Sequence, residues 1–140
     1  MKNAYFLVLL VCDFIFLNAQ PEIDWQKCLG GSGIDYPNTI IQTIDGGYIF
    51  SGTTTSVDGD VTGNNGDRDT WVVKLSTSGN IEWQKCLGGS SSEDISSVIQ
   101  TSNGDYVLVG RTNSNDGDVS GLNGTNDAWI LKLSPNGTIL

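Results

Sequence analysis

The chain contains no histidine. Every Ser-His, Cys-His and His-metal arrangement is thereby excluded, which leaves carboxylates, hydroxyls, thiols and lysines as the side chains able to carry chemistry. Basic residues are scarce as well: 7 Lys and Arg stand against 16 Asp and Glu, a formal charge of −9 in 140 residues. That balance repels phosphate backbones and anionic lipid, so it argues against nucleic acid and membrane surfaces and favours cations, basic partners or solubility. Proline occurs three times, and no stretch sustains the apolar period of a helix. The length suits one ordinary domain.

Only the N-terminus carries a long apolar run. "MKNAYFLVLLVCDFIFLNAQPE" has one Lys, an apolar stretch broken by Asp13, and the small residue Ala19 before polar sequence. This is the layout of a secretory signal peptide over residues 1–19, cut before Gln20, and it predicts a secreted or cell-surface protein. The run is too short and interrupted to span a membrane comfortably, so no span is expected after cleavage. Two alternatives are a lipid on Cys12 and an apolar segment that stays attached.

Residues 20–140 form a repeat region. Sliding the chain by 58 residues aligns 23–80 with 81–138 without a gap, and about half the positions are identical. "IDWQKCLGGS" at 23–32 returns as "IEWQKCLGGS" at 81–90, and Trp71, Gly52 and "KLS" at 74–76 recur as Trp129, Gly110 and "KLS" at 132–134. A gapless period of this length means one supersecondary unit used twice. Inside each unit Val, Ile, Trp, Tyr and Thr fill short runs, while Gly, Asn, Asp and Ser fill the turns between them. "NTIIQTI" and "GYIFSGTT" flank "DGG"; "DTWVVKLST" and "NIEWQKCLG" flank "SGN". Each unit therefore reads as a four-stranded antiparallel sheet, the second ending in the stub "TIL" at 138–140.

A sheet that is apolar on both faces needs cover on both, and the repeat suggests that another copy of the unit supplies it. The fold expected is all-β, with the two units as β-propeller blades of an incomplete ring; a β-solenoid or a sandwich is the alternative. "WVVKLSTSGNIEWQKCLGGS" at 71–90 and "DGGYIFSGTT" at 45–54 resemble the bacterial secreted β-propeller repeats labelled SBBP, and more loosely the NHL blade. The resemblance covers nearly all of residues 23–140. It implies a propeller in an exported protein, often one part of a longer chain, and no shared enzymatic activity. Fewer units are present than the four or more of a closed ring, so further blades of the same or a larger chain are expected partners.

Strand order puts the long loop 55–68 and the link 30–37 at one end of the array, with 113–126 and 88–95 as their counterparts. Asp35, Asp58, Asp60, Asp67, Asp69, Glu93, Asp94, Asp116, Asp118 and Asp127 gather there, predicting an acidic loop face. Within it, "DGDVTGNNGDRD" at 58–69 and "DGDVSGLNGTND" at 116–127 follow the spacing of a twelve-residue calcium loop. Asp58, Asp60, Thr62 and Asp69 would be the oxygen ligands of the first, and Asp116, Asp118, Ser120 and Asp127 those of the second. The competing reading makes the same residues Asx-turns. Cys28 and Cys86, at matched positions, are expected to be unpaired and buried, and Trp25, Trp71, Trp83 and Trp129 to pack between units. The function expected is a non-enzymatic structural or binding module whose acidic face meets a cation, a glycan or an extracellular protein. A carboxylate-dependent polysaccharide enzyme is the alternative.

Overall fold

The computed structural model describes residues 21–140, and the leader expected at 1–19 lies outside them. Seven strands follow one another: β1 Asp35–Gln42, β2 Tyr48–Thr54, β3 Asp69–Leu75, β4 Ile81–Leu87, β5 Glu93–Gln100, β6 Tyr106–Thr112 and β7 Asp127–Leu133. The described chain is all-β, as the turn-punctuated β-branched runs predict. β1-β2-β3-β4 form one antiparallel sheet, sheet 1, and β5-β6-β7 a second, sheet 2. Each hairpin is closed by backbone hydrogen bonds across a glycine with positive φ, as in Gly46 N to Thr43 O and Gly79 N to Ser76 O.

The sheets are out of phase with the sequence units as cut above. β4 belongs to the second sequence unit yet completes sheet 1, because Trp71 pairs with Cys86 and Lys74 with Trp83. Sheet 2 correspondingly has three strands, β5-β6-β7, and Ile139 reaches Leu133 as an isolated bridge. Residues 23–29, which repeat β4 almost letter for letter, form no strand. Among the described residues they have no β3 edge to pair with.

Stacking places the core between the sheets. Ile49, Val72 and Leu87 on one face of sheet 1 pack with Ile95, Val98, Tyr106, Leu108, Leu131 and Leu133 of sheet 2. The opposite face of sheet 1 carries Phe50, Trp71, Val73 and Leu75, against which Trp25 and Leu29 lie. Each fully buried aliphatic side chain contributes about 1.5–3 kcal/mol. Polar contacts add register: the Asn38 side-chain amide donates to the Ile95 carbonyl at 2.8 Å, and Ile44 N donates to Gln100 Oε1 at 2.8 Å.

Aromatic packing follows the repeat. Trp25 meets Tyr48 edge-on at 5.7 Å, and Trp83 meets Tyr106 edge-on at 6.1 Å. The cysteines part company: both are free thiols, but Cys86 is buried and Cys28 exposed. The expectation that both are buried thus fails for Cys28, since no neighbouring sheet covers its segment. Burial pushes the Cys86 thiol up to about 12, so it stays unreactive.

Candidate functional site

The loop end of each sheet is organised by the segment Leu-Gly-Gly-Ser and its successor. Four consecutive backbone amides there each receive a side-chain oxygen. Gly30 N donates to Asp60 Oδ2 at 3.1 Å, Gly31 N to Asp35 Oδ2 at 2.9 Å, Ser32 N to Asp58 Oδ1 at 2.7 Å and Gly33 N to Ser56 Oγ at 2.9 Å. Fifty-eight residues later the set returns: Gly88 N to Asp118 Oδ2 at 3.2 Å, Gly89 N to Glu93 Oε2 at 3.0 Å, Ser90 N to Asp116 Oδ1 at 2.7 Å and Ser91 N to Ser114 Oγ at 2.9 Å. A run of converging amides is a concave anion site, and here the chain's own carboxylates fill it. Glycine is required because a β-carbon on Gly31 would lie 2.4 Å from the Asp58 carbonyl, and one on Gly89 2.4 Å from Asp116 Oδ1.

The carboxylates respond to their partners. The Ser32 and Ser90 amides hold the Asp58 and Asp116 carboxyls below the usual range. Burial pushes Asp35 up, but hydrogen bonds from Thr54, Gly31 and Ser56 outweigh it and the carboxyl is lowered. Asp69 is the exception. It is fully buried at the seam between the sheets, its Oδ2 accepts from Asn65 N at 2.9 Å, and its Oδ1 has no partner. Burial first, then the neighbouring Glu93 and Asp118, raise its pKa.

This geometry places each residue of the two calcium-loop readings. Asp58, Asp60, Asp116 and Asp118 turn toward the glycine-rich segment and accept its amides, while Asp69 and Asp127 cap Asn65 N and Asn123 N at 2.9 and 2.6 Å. The Thr62 hydroxyl and carbonyl take the Gln84 amide, and Ser120 is exposed. Among the described residues no three carboxylates gather as a metal-ligand set. The carboxylate oxygens are observed as caps of backbone amides. The acidic face is also smaller than the sequence suggests, because Asp69 and Glu93 lie in the interior.

Sequence reasoning missed the amides of residues 30–33 and 88–91, the capping oxygens of Ser56 and Ser114, and the Thr112 hydroxyl that donates to Glu93 at 2.7 Å. The available signal was that Leu-Gly-Gly-Ser and Asp-Gly-Asp keep the same separation in both copies. It also missed Lys74, buried at the opposite end of sheet 1 with Asp45 and Glu82 each 2.9 Å from its Nζ. Hydrogen bonds from Thr43 and then Lys74 lower the Asp45 carboxyl to about 2.

Asp69→Asn should separate capping from ion binding. The amide oxygen keeps the Asn65 contact, and removal of the buried charge is expected to stabilise the fold by on the order of 1 kcal/mol at neutral pH. The sign follows from the raised pKa: ionisation of Asp69 costs stability, so this group's contribution falls as pH rises above its ordinary value of 3.8 through the higher folded one. The gain should therefore be present at pH 7 and vanish near pH 3, read from urea midpoints. A loss of stability at pH 7 would mean that the carboxylate has a cationic partner.

The chain matches no protein-family model, and a search of curated proteins returns no significant match.

Proposed function

We propose that the chain is an exported, non-enzymatic repeat module whose sheets stack in the manner of propeller blades, with the loop end as the face offered to an extracellular protein or glycan. The observation that carries this reading is the exact recurrence, 58 residues apart, of the four-amide capping set. Carboxylates committed in the same way in every unit serve the scaffold. An active site needs groups set apart from their repeats.

The carboxylates of the two grooves give the glycosidase alternative less support. Such chemistry wants a carboxyl with a raised pKa opposite an ionised one across a cleft. The groove of about 710 Å³ beside Trp25, Phe50 and Trp71 is mainly apolar and has Asp35, held ionised, as its carboxylate. The second groove has Asp45 and Glu82, both paired to Lys74. Asp35 in the first and Asp45 in the second are both lowered, the opposite of what the acid role asks.

Stacking predicts that units reinforce one another as in other repeat proteins. A chain lengthened by a further tandem copy of residues 81–138 should unfold at a higher denaturant midpoint than the 140-residue chain. An unchanged midpoint would sink the reading. A companion measurement concerns calcium: the melting temperature should be the same in chelator and in millimolar calcium, and Asp58→Ala should lower it equally in both. A rise with calcium that Asp58→Ala abolishes would return the loops to ion binding.

A further inference from the structure

The tight-turn end of the molecule, opposite the loop end, departs from the repeat. In sheet 1 the buried Lys74 holds Asp45 and Glu82. One period later Lys132 keeps its place, but Asn103 and Leu140 stand where Asp45 and Glu82 would be, and Lys132 pairs instead with Asp105 at 2.7 Å. Groups that serve the scaffold recur in both copies. The Lys74 trio does not, and it borders a groove of about 570 Å³ lined by both sheets. That volume falls within the roughly 300–1,000 Å³ of small-molecule sites.

Trp83 gives the groove a fixed apolar surface. Its Nε1 donates to the Pro135 carbonyl at 3.1 Å, its six-membered ring lies so close to Gly137 that a β-carbon there would stand 3.1 Å away, and it meets Tyr106 edge-on. Lys74 is 2% exposed, and its three protons are committed to Asp45 Oδ2 and Glu82 Oε2 at 2.9 Å each and to the Leu75 carbonyl at 3.1 Å. Asp45 Oδ1 in turn accepts from the Thr43 hydroxyl and the Gly47 amide. Glu82 is different: Lys74 orients it through Oε2, and its Oε1 has no partner among the described residues. Tyr106 is 1% exposed yet lines the groove, and its hydroxyl makes no hydrogen bond among the described residues. Burial raises its pKa, and the charges that act on it are those of Lys74, Asp45 and Glu82, so the hydroxyl neighbours the trio. A phenol this deep without a partner points to a group that completes it.

We propose that this groove binds one neutral hexopyranose unit of a glycan, its C–H face against Trp83 and its hydroxyls on Glu82 Oε1 and Tyr106 Oη. The site is additional to the loop-end face and does not depend on it. A pyranose ring is apolar on its C–H face and polar at its rim, which suits a fixed indole beside two free oxygens. One sugar hydroxyl donates to the carboxylate, and another accepts from the phenol, so both open valences are filled. Charge narrows the class: Asp45 and Glu82 outweigh Lys74, and the chain carries −9, so acidic sugars are repelled. A basic side chain would be drawn by the same charge. Lysine and arginine, however, carry no acceptor for the Tyr106 proton.

The test follows the tryptophan indole N–H signals of the full chain by two-dimensional NMR, with methyl β-glucopyranoside, methyl α-mannopyranoside and N-acetylglucosamine as probes. The Trp83 signal, identified by its loss in Trp83→Phe, should shift saturably with a dissociation constant of about 1–10 mM, as suits so small a ligand, while Trp71 and Trp129 stay in place. Tyr106→Phe keeps the ring and removes only the unpartnered hydroxyl, so affinity should fall about fivefold with the urea midpoint unchanged. Glu82→Gln, at a half-exposed position, serves as the second variant and should weaken binding about tenfold. Arginine amide probes the cationic occupant. Three results overturn the proposal: no saturable Trp83 shift with any of the sugars at about 100 mM, a shift that either substitution leaves undiminished, or a response to arginine amide alone. The loop-end reading survives each of them, since its own tests act at the other end of the sheets.

Discussion

Alanine at Gly52 or Gly110 is expected to cost about 3 kcal/mol of stability, from overpacking that the strands cannot relieve. A β-carbon at Gly52 would lie 1.9 Å from the Tyr36 carbonyl oxygen and 2.8 Å from Pro37 Cα. At Gly110 the same atom would lie 1.9 Å from the Asp94 carbonyl oxygen and 2.7 Å from Ile95 Cα. Both glycines sit opposite a register shift, between Pro37 and Thr39 in β1 and between Ile95 and Ser97 in β5. The shift bends the neighbouring strand's backbone over the glycine, so the atoms in the way are main chain and cannot rotate aside. A loss of this size is a large part of the roughly 5–15 kcal/mol that holds a domain of this class. Urea midpoints measure it directly, and a change under about 0.5 kcal/mol, typical of an indifferent surface site, would show that the strand yields.

These glycines were visible in the sequence as matched positions, but their reason was not. The sequence carries the hairpins well. Asp45-Gly46-Gly47 between apolar runs marks the β1–β2 turn, and β-branched density marks β3. The phase of the sheets is a different matter. A periodic sequence has no preferred cut, so the 58-residue period gives the unit's length without saying which strand is its fourth. That depends on an edge: β4 has β3 to pair with, whereas the nearly identical letters at 23–29 have none among the described residues. Propensity is local and pairing is not.

The loop end is ambiguous in sequence for the same reason. The spacing of Asp58, Asp60 and Asp69 is compatible both with one central ion and with three separate amide caps. The deciding partners, Gly30, Ser32 and Asn65, include two that lie far off in the chain. Glu93 shows how the two copies keep one function with different letters. Its extra methylene, relative to Asp35, still brings a carboxylate oxygen to the second amide of the run. Burial of Asp69 and Glu93 could not be read from composition, because acidic residues in a Gly-rich stretch look solvated until the next sheet covers them.

Aspartate placed at Val72 should unfold the chain, and aspartate placed at the equivalent Ile130 should leave it folded. The positions are one repeat apart, and they differ in what lies over them. Val72 is sealed in the cluster with Ile95, Leu108 and Leu131, where an unpaired carboxylate has neither water nor a cation. Its cost exceeds about 4 kcal/mol, enough to abolish the cooperative transition of a marginal domain. Ile130 faces outward and is two-thirds exposed, so a charge there is hydrated and shifts the monomer's stability by no more than about 0.5 kcal/mol. Circular dichroism with urea titration reads the difference. Val72→Asp that folds normally would contradict the buried seam between the sheets, and Ile130→Asp that loses its cooperative transition would contradict the hydrated position of Ile130.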